Sequence, residues 1–352
     1  MNLRRRTFLG LVGAGVAALR LDAAMRTTRL TSPGFLDLQV NGFAGVDLNA
    51  PAVTAEQVHA AMAAMRRTGV TQALPTLVSA PLDRFARCAR TIVRAKASGV
   101  LGLHMEGPYI SPEDGARGAH RRVDTSPASI DDFERRQEAA DGQIRILTVA
   151  PEVPGVLPLI THAAGRGVRV AIGHTAGTPE QIRAAIEAGA TLSTHLGNGA
   201  AQLLPRHPNF LWEQLAADEL TASLILDGHH LPPSTVKTMI RAKTPARTVL
   251  VTDAIAAAGQ PPGEYQLGEI RVRLDENGRV AEPGAPNLAG SALTLDRAVG
   301  NAVRFAGVSI ETALAMASTH PAAYLGVPAA GRLTLEWDPD RFTLTVADVS
   351  MS

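Results

Sequence analysis

The stretch from Val168 to Asn198 constrains this chain more than any other. It reads Val-Arg-Val-Ala-Ile-Gly-His174, then a helical run from Pro179 to Gly189, then Ala-Thr-Leu-Ser-Thr-His195-Leu-Gly-Asn198. Each histidine ends a short apolar run of β character. Thr178-Pro179-Glu180 is a helix start, Ile182, Ala185, Ile186 and Ala190 form a helical apolar stripe, and Gly189 supplies the stop. A strand–helix–strand unit crosses over right-handedly and its strands run parallel, so both histidines arrive at the C-terminal edge of one sheet. Alone, either is an ordinary polar strand-end residue. Two at matched positions in adjacent strands suit a transition metal.

The same alternation runs through the chain. Strands are predicted over Pro33–Val40, Gln72–Val78, Val100–Glu106, Ile144–Ala150, Val168–Gly173, Ala190–His195, Leu220–Leu226 and Thr248–Thr252. Helices are predicted from the Thr54–Gln57 capping box to Gly69, and over Pro81–Ala97, Ile130–Ala140, Val156–Gly165 and Pro233–Ala242, with two more near Thr294–Phe305 and Ile310–Ser318. Eight strands alternating with helices give an α/β chain, a (β/α)8 TIM-type barrel, in preference to a doubly wound open sheet. Glu264–Ala281 reads as a hairpin turning at Asn277-Gly278, and Leu333–Val346, turning at Asp338-Pro-Asp340, as a final strand pair outside the barrel. The polar loop from Gly107 to Pro127 is long enough to be functional.

Composition excludes several functions. A formal net charge of +1 over 352 residues gives no electrostatic case for nucleic acid. The single Cys88 rules out a disulfide framework or a cysteine metal site. No apolar run is long enough for a mature transmembrane helix, so no stable membrane insertion is expected. Arg4-Arg5-Arg6-Thr7-Phe8-Leu9-Gly10, followed by a Gly- and Ala-rich run to Leu19, reads as a twin-arginine-like export signal or a basic tail over residues 1–24.

Sorting the polar residues at the strand ends gives Gln39 and Asn41 on the first, His104 and Glu106 on the third, His174 on the fifth, His195 on the sixth and Asp253 on the eighth. In a barrel all of these face one mouth. Glu106, His174 and His195 make the two-histidine, one-carboxylate set of an open zinc site with water as fourth ligand. Asp253 fits the proton carrier beside it.

These residues sit in recognisable motifs: Pro33-Gly-Phe-Leu-Asp-Leu-Gln-Val-Asn-Gly42, His104-Met-Glu-Gly-Pro-Tyr109, Gly118-Ala-His120, Gly173-His-Thr175, Thr194-His-Leu-Gly-Asn198, Asp227-Gly-His-His230, Val251-Thr-Asp253 and Ala289-Gly-Ser-Ala-Leu293. In that order the chain resembles the N-acetylglucosamine-6-phosphate deacetylases of the amidohydrolase superfamily. The resemblance implies metal-dependent removal of an acetyl group from an amino sugar phosphate. Glu106, His174 and His195 would hold one divalent ion, zinc first, with iron or another ion as alternatives. Asp253 would be the acid/base and His120 the group that polarises the acetyl carbonyl. Gln39 and Asn41, where other superfamily members carry His-x-His, imply a single metal. Substrate contacts would come from Ala119, His120, Asn198, Gly199, Arg206, His230 and the Leu288-Ala289-Gly290 turn, with Arg206 reaching in from a second subunit of a homodimer.

The barrel would span residues 33–326, with the hairpin insertion near 264–281. Residues 331–350 would be the remnant of a small β-domain, reduced because so little chain precedes Pro33, and left with an exposed edge. Gly197 and Gly199-Ala200 replace bulkier family residues near the phosphate site. The family's default location is cytoplasmic, whereas the N-terminus predicts export to the periplasm. An exported enzyme would meet little sugar phosphate, which keeps an unphosphorylated N-acetyl sugar, or another acylated amine, as the alternative substrate. A barrel that has become a scaffold is the further alternative, and the intact acidic and histidine set argues against it.

Overall fold

The computed structural model describes residues 27–285 and 287–351. The export-signal reading of residues 1–24 lies outside them. Eight strands form one parallel sheet in chain order: β1 Phe35–Val40, β2 Val70–Leu77, β3 Leu103–Glu106, β4 Ile144–Val149, β5 Arg169–Ile172, β6 Ala190–Ser193, β7 Thr221–Leu224 and β8 Thr248–Leu250. Every residue of β1 and β2 is buried, as expected for strands covered on both faces. The sheet is nearly closed. At the seam, Val40 bridges Ala254, the Asp253 amide donates to the Gln39 carbonyl at 2.9 Å, and the Asp37 carboxylate accepts from the Thr252 amide at 3.2 Å and its hydroxyl at 2.5 Å.

Local chemistry explains the helices outside the sheet. Thr54 and Gln57 close a reciprocal cap on Ala55–Arg66, and Thr178 and Gln181 do the same on Pro179–Ala188, which stops at Gly189. The second helix covers Leu82–Ala95, ending earlier than the sequence suggests because Lys96 turns left-handed at φ +49°. Leu36, Leu38, Leu147, Ile160 and Leu224 all lie in one continuous core. Truncating one of them to alanine would cost about 2–5 kcal/mol. No described helix is long and apolar enough to cross a membrane.

Two expectations are corrected and two helices are added. Thr28–Pro33 is a strand, pairing antiparallel with Arg332–Asp338, which pairs in turn with Thr343–Ser350. The small β-unit therefore has three strands where a pair was expected, with Arg332–Asp338 in the middle. The insertion is a three-stranded meander, Gly263–Leu267, Ile270–Leu274 and Val280–Ala281, in which Gly268-Glu269 makes the first turn and Asn277-Gly278 only the second. Phe210–Ala216, capped by the Asn209 side chain, and Thr319–Leu325 are further helices, too short for periodicity to reveal.

Candidate active site

Glu106 closes β3, His174 and His195 lie two residues beyond β5 and β6, and Asp253 lies three beyond β8. All four are buried at the C-terminal mouth of the barrel. Three of them hold a left-handed backbone rare for non-glycine residues: φ is +51° at His174, +29° at His195 and +50° at Asp253. Such conformations cost of order 1–3 kcal/mol each and persist where the surroundings over-determine them. Here the Ser111 amide donates to the His174 carbonyl, the His195 amide donates to Ser223 Oγ at 2.7 Å, and the Asp253 carbonyl accepts from the Ser291 amide at 2.9 Å.

The side chains converge tightly. His174 Nε2 lies 3.2 Å and His195 Nε2 3.0 Å from Glu106 Oε1, and the two Nε2 atoms are 3.1 Å apart. His174 Nδ1 is 3.1 Å from the Ala116 carbonyl, which can only accept, so that nitrogen carries the proton and Nε2 offers a lone pair inward. His195 Nδ1 has no hydrogen-bond partner among the described residues. One atom from each residue lies within 4.8 Å of the others. Two imidazoles and a carboxylate gathered with so few protons between them fit a divalent cation. Burial disfavours the Glu106 carboxylate, but the neighbouring histidines outweigh that and hold its pKa well below the usual range.

Asp253 Oδ1 accepts from Asn41 Nδ2 at 2.6 Å and from Gln39 Nε2 at 3.3 Å, and Gln39 Nε2 also donates to Glu106 Oε1 at 2.8 Å. Burial and the charge of Glu106 push the Asp253 carboxyl up to about 6. His120, delivered by the long loop after β3, stacks edge-on against His174 with ring centroids 4.4 Å apart. Its Nε2 is 3.7 Å from Glu106 Oε2. Burial, and then the neighbouring His174, push its pKa down to about 3, so the ring is neutral.

These groups line a cavity of about 440 Å³, a size that suits a sugar. Leu267 and Ile270 of the meander form one wall. The turn between them is latched by Glu269, which pairs with Arg84 at 2.7 Å and with Arg121, and by the Gly268 amide on Asp47.

Comparison with known proteins follows this geometry. The amidohydrolase family model matches residues 30–348. The N-acetylgalactosamine-6-phosphate deacetylase of Escherichia coli O157:H7 is 36% identical over 322 residues, 89% of this chain and 83% of that protein. The N-acetylglucosamine-6-phosphate deacetylase of Lysinibacillus sphaericus is 32% identical over 92% of this chain and 84% of that one. A mutant N-acetyl-D-glucosamine-6-phosphate deacetylase from Mycobacterium smegmatis, solved in complex with N-acetyl-D-glucosamine-6-phosphate, superposes with a TM-score of 0.84 at 30% identity, covering 92% of this chain and 86% of that chain. This chain belongs to the N-acetylglucosamine-6-phosphate deacetylase family of amidohydrolases.

The residues that the family resemblance singles out are not all in the cavity. Ala119, His120, Asn198, Gly199, His230, Leu288 and Gly290 line it. His230 is steered there by Asp227, whose carboxylate accepts from its Nδ1 at 2.7 Å. Ala289 faces away, buried in the small apolar cluster with Ile255 and Val280. Arg206 is exposed and outside the cavity, on a loop that also bares Leu203, and its guanidinium has no partner among the described residues. No lysine or arginine is among the described lining residues. Sequence reasoning missed Ser79, Ser223 and Ser291. Ser79 was within reach of the strand-end rule, since it lies two residues beyond β2, as His174 and His195 do beyond β5 and β6. The other two are visible only through the backbone groups they hold.

Proposed function

We propose that this protein hydrolyses the acetamide of an N-acetylamino sugar 6-phosphate, N-acetyl-D-glucosamine 6-phosphate first, giving the amino sugar phosphate and acetate. The observation that carries the reading is the convergence of Glu106, His174 and His195 on one point of a sugar-sized cavity that Asp253 also lines. A single divalent ion, zinc in the first instance although the ligand set also tolerates iron, would be held by Glu106, His174 and His195, and would polarise the carbonyl and acidify water. One ion suffices because Gln39 and Asn41 already meet the neighbouring carboxylates with N–H donors. Asp253 Oδ1 is occupied by those amides, so Oδ2 takes the proton from the attacking water. Asp253 then returns the proton to the amine nitrogen as the C–N bond breaks. His120 donates a hydrogen bond to the acetamide oxygen, which gains negative charge as water adds. Asn198, Gly199 and His230 contact the sugar. The phosphate meets Arg206 of a second copy in a homodimer, in keeping with a cavity whose described lining holds no lysine or arginine.

Acetate release from metal-loaded protein tests this reading. The 6-phosphates of N-acetylglucosamine and N-acetylgalactosamine are compared with free N-acetylglucosamine, because relatives carry both sugar names. Turnover of a 6-phosphate exceeding that of the free sugar is expected, and hydrolysis confined to the free sugar contradicts it. A wall with no lysine or arginine among its described residues favours that outcome as the second reading. Export directed by residues 1–24 would go with it.

A further inference from the structure

We infer that Ser79 is a positioning residue that fixes His120 as the neutral tautomer with its proton on Nε2, so that the ring meets the substrate carbonyl as a donor. The role toward the carbonyl rests on the deacetylase reading. The tautomer rests on hydrogen-bond geometry alone. The Ser79 backbone N–H points at His120 Nδ1 across 3.3 Å. A backbone amide can only donate, so Nδ1 must present its lone pair. The Ser79 hydroxyl lies 3.0 Å from the same nitrogen and, with Nδ1 an acceptor, donates to it as well. The hydroxyl could turn to accept from a protonated Nδ1, but the backbone N–H could not, and a buried N–H would be left facing an N–H.

The other side of the ring agrees. Nε2 is 3.7 Å from Glu106 Oε2, where an N–H is attracted to the carboxylate and a lone pair would be repelled. The donor pair is itself held. Asn49 accepts from the Val78 amide at 2.9 Å and donates to the Thr76 carbonyl at 3.0 Å, clamping the end of β2 on both sides of Leu77. Gly107, next to Glu106, keeps room for the hydroxyl: a Cβ there would lie 2.2 Å from Ser79 Oγ, and φ is +76°. The edge-on contact with His174, at 70° between ring planes, keeps the imidazole from swinging out of this arrangement.

The test is nitrogen-15 NMR of histidine-labelled, zinc-loaded protein, with His120 assigned by the signals lost in His120→Gln. The expected spectrum has a protonated Nε2 and an unprotonated Nδ1 at neutral pH. In Ser79→Ala the Nδ1 resonance should shift as it loses one of two donors, and kcat should fall about 2- to 10-fold with KM little changed. His120→Gln, whose amide can replace the Nε2 donor, should keep more activity than His120→Asn. A proton on Nδ1, a cationic ring, or His120→Asn outperforming His120→Gln would overturn the inference. An active deacetylase with Nδ1 protonated would remove this inference and leave the proposed function standing. An Nε2-protonated ring in a protein that releases no acetate would do the reverse.

Discussion

The floor of the cavity and the loop that overhangs it are held by different means. Glu106, His174, His195 and Asp253 stand at strand ends and are buried; Glu106 is held in the ladder opposite Thr148, and the backbones of the other three are fixed by Ser111, Ser223, Gln39 and Ser291. The loop that follows His195 contributes Asn198 and Gly199 to the wall, then runs out to an exposed Leu203 and an Arg206 with no side-chain partner among the described residues. The difference teaches where each task sits. Bond breaking needs groups preorganised to a fraction of an ångström and is built on the sheet. Recognition of the distant end of a substrate is left to a loop that can change without disturbing the floor.

If that division holds, the floor should show the largest effect. Asp253→Asn should lower kcat by about 10³-fold or more while the metal content stays normal. With the parent, kcat/KM should fall on the acid side of a limb at or below about pH 6, as Asp253 takes up a proton. Near-normal turnover by the variant would erase the distinction between floor and loop.

Arg206→Ala should raise KM for the 6-phosphate by about 10- to 100-fold, the scale of one lost charged hydrogen bond, with little change in kcat. Hydrolysis of the free sugar should not change. Because Arg206 lies outside its own cavity, mixing Arg206→Ala with Asp253→Asn subunits should restore activity through sites that combine an intact Asp253 with an intact Arg206 from the neighbour. Failure of the mixture to recover would confine Arg206 to its own chain.

One position belongs to both regions. A Cβ at Gly199 would lie 2.6 Å from His174 Nδ1, and φ there is +53°. Gly199→Ala should therefore weaken metal affinity about tenfold, by displacing a ligand ring from its orienting carbonyl, as titration against a competing chelator would read. Unchanged affinity would mean that the loop gives way and the ring does not.

The smallest effect sharpens the floor side. Burial pushes the Asp37 carboxyl from 3.8 to about 7, against its hydrogen bonds from Thr252 and Gln39. Between those values the folded chain holds a proton that the unfolded chain has released. Its stabilising contribution is complete below about 3.8 and is lost as pH rises through about 7. Tm should fall over that interval, and Asp37→Asn should flatten the fall. An identical slope in the variant would show that other groups control it.

How much was legible follows from the same division. Residues at the C-terminal ends of buried strands are forced toward one mouth, so Glu106, His174, His195 and Asp253 could be grouped from strand order alone, and Gln39 and Asn41 with them. Ser79 lay within the same strand-end rule, but its role did not, because serine is common after strands and its partner His120 is 41 positions away. Thr28–Pro33 looks like a polar tail until Arg332–Asp338, some three hundred residues later, supplies its ladder. The Gly268-Glu269 turn carries no Asn-Gly signature, so the meander read as a single hairpin. Ala289 was assigned to the wall with its neighbours, although adjacent residues in an extended segment face opposite ways.

The most direct test of the central claim is metal stoichiometry by elemental analysis of the purified parent protein and of His195→Ala, each supplied with zinc and freed of excess. One ion per chain in the parent and a large loss in the variant is the result expected if Glu106, His174 and His195 form the site. Equal metal in both proteins, or none in a folded parent, would contradict it.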